Sequence, residues 1–170
     1  METIIGKKIR QFYLSLKKMG DLVFHEGPVI SHHIDNTGKD YLYYWVDADK
    51  HFNRWMVFYA SPELLLRFLE KQITWKGVIK NAPEKKVLFV DVDDNLMCRY
   101  VTLSKIENVP AAYFPLDTSY FDEELYEPYA LELKKHLSEK MQTQGKAYQV
   151  PENSRSVLAE PDAPEYEKPE

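Results

Sequence analysis

Apolar positions recur along this chain at two periods. Over residues 5–19 (IGKKIRQFYLSLKKM), Ile5, Ile9, Phe12, Leu16 and Met19 follow one another at helical spacing, which predicts an amphipathic helix with its lysines on the other face and Gly20 as its end. Leu22 to Ile30 is an extended run broken at Gly27-Pro28. The cluster Asp35-Asn36-Thr37-Gly38 then predicts a turn into a strand over Tyr41 to Val46. A second hairpin leads through Asp47 to Asn53 into Arg54 to Ala60, and a third joins Val87 to Val92 with Leu96 to Leu103 over Asp93-Asp94-Asn95. Between these hairpins, Ser61-Pro62-Glu63 supplies a capping hydroxyl, a proline suited to the first helical position and an acid for the positive end of the helix dipole. Leu65, Phe68 and Leu69 give that helix its stripe, and Thr74 to Ile79 predicts a short second helix stopped by Asn81-Ala82-Pro83. Tyr126, Ala130, Leu133, Leu137 and Met141 predict a last helix beginning near Glu127, because Pro128 fits only in a first turn.

These elements predict an α+β fold: an antiparallel sheet of about five strands, a helical pair after the second hairpin, flanking N- and C-terminal helices, and a tail. Residues 1–150 read as a single domain. Residues 151–170, rich in proline and charge and almost without apolar positions, read as a disordered acidic tail.

Charge changes this picture at the two ends. The net charge is −5, and residues 151–170 carry most of it, with Glu152, Glu160, Asp162, Glu165, Glu167 and Glu170 against Arg155 and Lys168. Lys7, Lys8, Arg10, Lys17 and Lys18 make the start of the chain basic, so the ends can attract each other or different partners. A single cysteine, Cys98, cannot form an internal disulfide and reads as a structural thiol, while no apolar run reaches membrane-spanning length. The expectation is a reduced, cytoplasmic protein without a membrane anchor.

The two central strands carry the densest aromatic content. Tyr41, Tyr43 and Trp45 alternate with Leu42, Tyr44 and Val46, and Trp55, Val57 and Tyr59 alternate with Met56, Phe58 and Ala60, so neither strand has a polar face. One reading covers both faces with helices and makes Trp45 and Trp55 core residues. The other opens the tyrosine-rich face to a partner, with Tyr41, Tyr43, Trp45, Arg54, Trp55 and Tyr59 as the binding residues. Arg54, beside the acidic turn, is expected to pair with Asp47 or Asp49. Aromatic sheets also bind nucleic acid, but such platforms need a cationic groove, and the nearly neutral body argues against it.

Across residues 27–92, the ordered series Gly27-Pro28, Tyr41-Leu42, Trp45-Val46-Asp47, Arg54-Trp55 and Ser61-Pro62-Glu63 resembles a family of small, largely uncharacterised bacterial domains. The resemblance implies an α+β fold and a bacterial or phage source, and it supplies no catalytic residues.

Two chemistries compete with binding. The run VLFVDVDDNL places Asp91 and Asp93 two apart at a strand end, as in the first motif of haloacid-dehalogenase-like phosphatases. Asn95 stands where threonine is expected, and no succession of parallel strands follows to supply the other motifs. The second chemistry is a metal-dependent hydrolase of a phosphorylated or nucleotide substrate, with Asp47, Asp49, Asp91 and Asp93 converging on a divalent ion if the two acidic turns share one end of the sheet. The spacing of His32, His33 and His51 to these acids matches no closed site, and the turn lacks the glycine of an EF-hand. The sequence therefore favours a non-catalytic protein-binding or adaptor module of a bacterial or phage cytosol, linked to phage defence or counter-defence. It names no cofactor and leaves homo-oligomerisation open.

Overall fold

The computed structural model describes residues 2–147. Its order is α1 (Ile4–Ser15), β1 (Lys17–Phe24), β2 (Pro28–Ile34), β3 (Asp40–Ala48), β4 (Phe52–Tyr59), α2 (Pro62–Leu69), α3 (Trp75–Lys80), β5 (Lys86–Asp93), β6 (Cys98–Lys105) and α4 (Tyr129–Ala147). The strands form one open antiparallel sheet in sequence order, each hydrogen-bonded to the next. The fold is α+β, with six strands because the broken run around Gly27-Pro28 is a complete hairpin. The tail expected over 151–170 lies outside the described residues.

Local chemistry sets most boundaries. Thr3 Oγ1 caps α1, Ser61 Oγ caps α2 with Pro62 in its first turn, and Thr74 Oγ1 caps α3, each accepting a free backbone N–H. Asp35 builds the β2–β3 turn by accepting from the N–H groups of Thr37 and Lys39. One expectation fails: the helix predicted to Met19 ends at Ser15, and Gly20 lies inside β1 rather than after a helix. Lys17 and Lys18 instead pair with Ile34 and His33, because a strand there completes the unpaired edge of β2, a gain that local periodicity does not register.

The sheet has two unequal layers. Leu22, Leu42, Met56 and Phe58 face the main core with α2, α3 and α4, where Trp75, Phe68, Leu133 and Leu137 are fully buried. The other face carries a smaller cluster of Tyr41, Tyr43, Val57, Leu88 and Val90 beneath α1, which contributes Ile9, Phe12, Tyr13 and Leu16 but buries no residue of its own completely. One side of the sheet is thus sealed by three helices. Among the described residues, the other is crossed by a single helix of twelve residues, too narrow to roof six strands.

Candidate functional site

The pairing of β3 with β4 collects the aromatic residues. Tyr41 stands opposite Tyr59, Tyr43 opposite Val57 and Trp45 opposite Trp55, so all five rings share the face crossed by α1. Phe12 meets the Tyr41 ring edge-on at 5.3 Å, and Tyr13 stacks on Tyr43 at 5.8 Å. Burial pushes the Tyr41 and Tyr13 hydroxyls up to about 12 and raises Tyr43 further still. Beside α1 the roof is incomplete. An apolar groove of about 380 Å³ runs between Ile9 and Phe12 on one wall and Tyr41, Val57, Tyr59, Leu88 and Leu103 on the other, with Lys8, Glu84 and Lys86 at its rim. Lys39 holds its ammonium 5.0 Å above the Tyr59 ring.

The two tryptophans differ from expectation and from each other. Trp55 is half-buried against the smaller cluster, but Trp45 is 41% exposed and its indole Nε1 donates to Asn53 Oδ1 at 3.1 Å. Trp45 is not a core residue, since α1 crosses the sheet without reaching it.

Arg54 also moves from its expected place. It faces the main-core side, away from the rings, and its guanidinium donates to both carboxylate oxygens of Asp91, at 2.7 and 2.9 Å. Its Nη1 donates to Tyr113 Oη at 3.1 Å, and that hydroxyl donates to Asp47 Oδ2 at 2.9 Å. A bulge makes this possible: Trp45 pairs with Trp55 and Asp47 with Arg54, so the extra Val46 turns Asp47 onto the arginine's face. Arg54 therefore reaches Asp47 through Tyr113 and does not pair with Asp49.

The acidic turns do share one end of the sheet, as β3–β4 and β5–β6 hairpins, yet each acid has its own work. Asp49 accepts from the backbone N–H groups of His51 and Phe52, and Asp93 accepts from those of Asn95 and Met97 and from Arg99 Nε. These bonds hold the Asp93 carboxyl below its usual range, the Met97 amide first among them. No group of three His, Cys, Asp or Glu side chains disposed to hold a metal ion occurs among the described residues. Cys98, half-buried on β6, has its thiol pushed up by burial.

Two histidine constellations escaped the sequence pattern. His32, fully buried on the main-core side, bonds Asp40 Oδ1 through Nε2 and Tyr129 Oη through Nδ1, both at 2.8 Å, and Lys140 Nζ approaches Asp40 Oδ2 at 3.4 Å. This network ties α4 to β2 and β3. His33 points to the opposite face, as alternation requires; it stacks on Tyr43 at 3.6 Å and meets Ser31 Oγ at 3.2 Å through Nε2. No described group meets its Nδ1, and burial, with Lys18 and His32 nearby, lowers it to about 3. Such a serine–histidine pair lacks the acid that would orient the imidazole, and both side chains are buried. The only sequence signal for either site was the adjacent His32-His33.

No helix among the described residues is long and apolar enough to cross a membrane. Compared with known proteins, the chain matches no family model, no curated protein and no solved structure.

Proposed function

We propose that this chain is a non-catalytic protein-binding or adaptor module that takes its partner on the aromatic face. The observation that carries this reading is the incomplete roof: of the five aromatic side chains on one face α1 covers Tyr43, leaves Trp45, Trp55 and Tyr59 partly exposed, and leaves beside itself an open apolar groove lined by Tyr41 and Tyr59. Tyrosine and tryptophan combine large apolar area with a hydrogen-bonding tip, which is the composition of the buried centre of protein interfaces. The groove volume also falls within the range of sites that seat an anchoring group. The resemblance of residues 27–92 to small bacterial domains supports a setting in a bacterial or phage cytosol, as a subunit or regulator of a system such as phage defence or counter-defence.

A metal-dependent hydrolase would need Asp47 and Asp91 free for a cation. Arg54 and Tyr113 already satisfy both, and an arginine at that point repels the ion. The binding reading is tested by placing a photo-crosslinking phenylalanine analogue at Tyr59 and, as control, at the exposed Leu131 of α4. A discrete covalent adduct from the Tyr59 probe alone supports the proposal. Equal labelling from both positions, or none from Tyr59, removes it.

A further inference from the structure

The two edges of the sheet are finished differently. β1 is guarded in three ways: its pairing with β2 shifts register three times, Lys17 and Lys18 lie along it, and the carbonyl of Leu22 accepts from the Glu127 N–H at 2.8 Å. Bulges, lysines and covering backbone are the means by which an open sheet prevents another strand from adding to it. β6 lacks them. Arg10 takes the carbonyls of Cys98 and Arg99 at 2.9 and 3.0 Å, but beyond the irregularity at Arg99 the strand runs evenly, pairing with β5 residue for residue from Tyr100 to Lys105. Among the described residues, no hydrogen bond reaches the outer backbone of Tyr100 to Leu103. Tyr100 and Leu103 are 70% and 47% exposed.

We propose that β6 is a homodimer interface, in which Tyr100 to Ser104 pairs antiparallel with the same strand of a second copy about a two-fold axis at Thr102. This inference rests on the edge and not on the aromatic face. An axis perpendicular to the sheet keeps each face continuous, so a residue meets itself or a residue an even number of positions away. With Thr102 on the axis, Val101 meets Leu103 of the other copy twice on the α1 side, while Thr102 meets Thr102 and Tyr100 meets Ser104 on the other. These are apolar and hydroxyl pairs of the kind that stabilise sheets. An axis at Leu103 would set Lys105 against Val101, and an axis at Val101 would run into the Arg99 irregularity and the Arg10 side chain. At each end Arg99 of one copy stands opposite Lys105 of the other, and this like-charge approach is offset only within each chain, where Arg99 is paired with Asp93 and Lys105 lies 3.9 Å from Glu107. The strand therefore supplies its own complement, which is why a second copy is the occupant.

Sedimentation equilibrium of the full chain tests this. The expected result is a monomer–dimer equilibrium whose Kd rises about tenfold or more in Thr102→Lys, where two ammonium groups meet on the axis. Mixing Thr102→Lys with Thr102→Glu then restores a heterodimer. Thr102 is exposed, so both variants keep the wild-type melting temperature of the monomer. A chain that stays monomeric at every concentration overturns the proposal and leaves β6 for a strand of another protein. A dimer indifferent to Thr102→Lys, or one not recovered by the mixed pair, overturns it equally.

Discussion

Arg54 and Asp91, opposite each other on β4 and β5, meet at two points: Nε to Oδ1 at 2.7 Å and Nη2 to Oδ2 at 2.9 Å. Asp91 is 6% exposed, so its carboxylate depends on this fork for solvation, and Asp91 in turn raises the arginine's affinity for its proton. The pair is asymmetric, because a third of the arginine side chain still reaches water.

That asymmetry predicts unequal mutants. Arg54→Met strands a buried carboxylate and is expected to cost about 2–4 kcal/mol, whereas Asp91→Asn leaves a guanidinium that Tyr113 and water can still serve, at about 1–2 kcal/mol. Urea denaturation of the two variants measures the order; equal losses would mean that Asp91 is satisfied by other means.

The tryptophans should separate in the same assay. Trp75, 2% exposed among Phe58, Phe68 and Tyr44, is expected to cost about 3–5 kcal/mol as Trp75→Ala, while Trp45→Ala should cost about 1 kcal/mol or less. A large loss at Trp45 would place it in a core that the present geometry denies it.

Gly20 is held to glycine by a neighbour rather than by its backbone angles. A Cβ there would stand 2.6 Å from the Tyr129 ring, whose hydroxyl is engaged by His32. Gly20→Ala should therefore cost about 1–3 kcal/mol, and Tyr129→Phe about 1–2 kcal/mol through the lost partner of His32. If thermal melts show Gly20→Ala to be neutral, the packing of α4 on β1 is looser than described.

His33 makes stability depend on pH. Its folded value of about 3 lies below the ordinary 6.5, so between these limits the unfolded chain binds more protons and stability falls as pH falls. The contribution is complete above pH 6.5 and declines by up to about 1.4 kcal/mol per unit toward pH 3. His33→Phe retains the stack on Tyr43 and cannot protonate, so its loss of stability from pH 7 to 4.5 should be smaller than that of the wild type. Identical pH profiles for the two proteins would show that His33 is hydrated in the folded protein and takes up its proton there as readily as in the unfolded chain.

What local sequence could report, it reported. The capped helices after Thr3, Ser61 and Thr74, the Asp35 turn and the alternation of β3 and β4 arise from interactions a few residues apart, so the α+β class and the aromatic strand pair were legible. The helix forecast through Met19 failed where a distant partner, β2, offered residues 17–24 a better use.

The site was decided by contacts that no window along the chain contains. Alternation put Tyr41, Tyr43 and Trp45 together, but only the position of α1 determined that Tyr41 and Tyr43 are covered and Trp45 is not. A single extra residue at Val46 turned Asp47 toward Arg54, and Tyr113, far along the chain, joined them. His32 and His33 looked alike in sequence, yet one is tied to Asp40 and Tyr129 while the other lies against Tyr43. Composition and spacing fix which elements form and which side chains share a face, because those follow from backbone period. What covers each face, and which charge finds which partner, follows from how the elements pack, and that is settled by the whole chain at once.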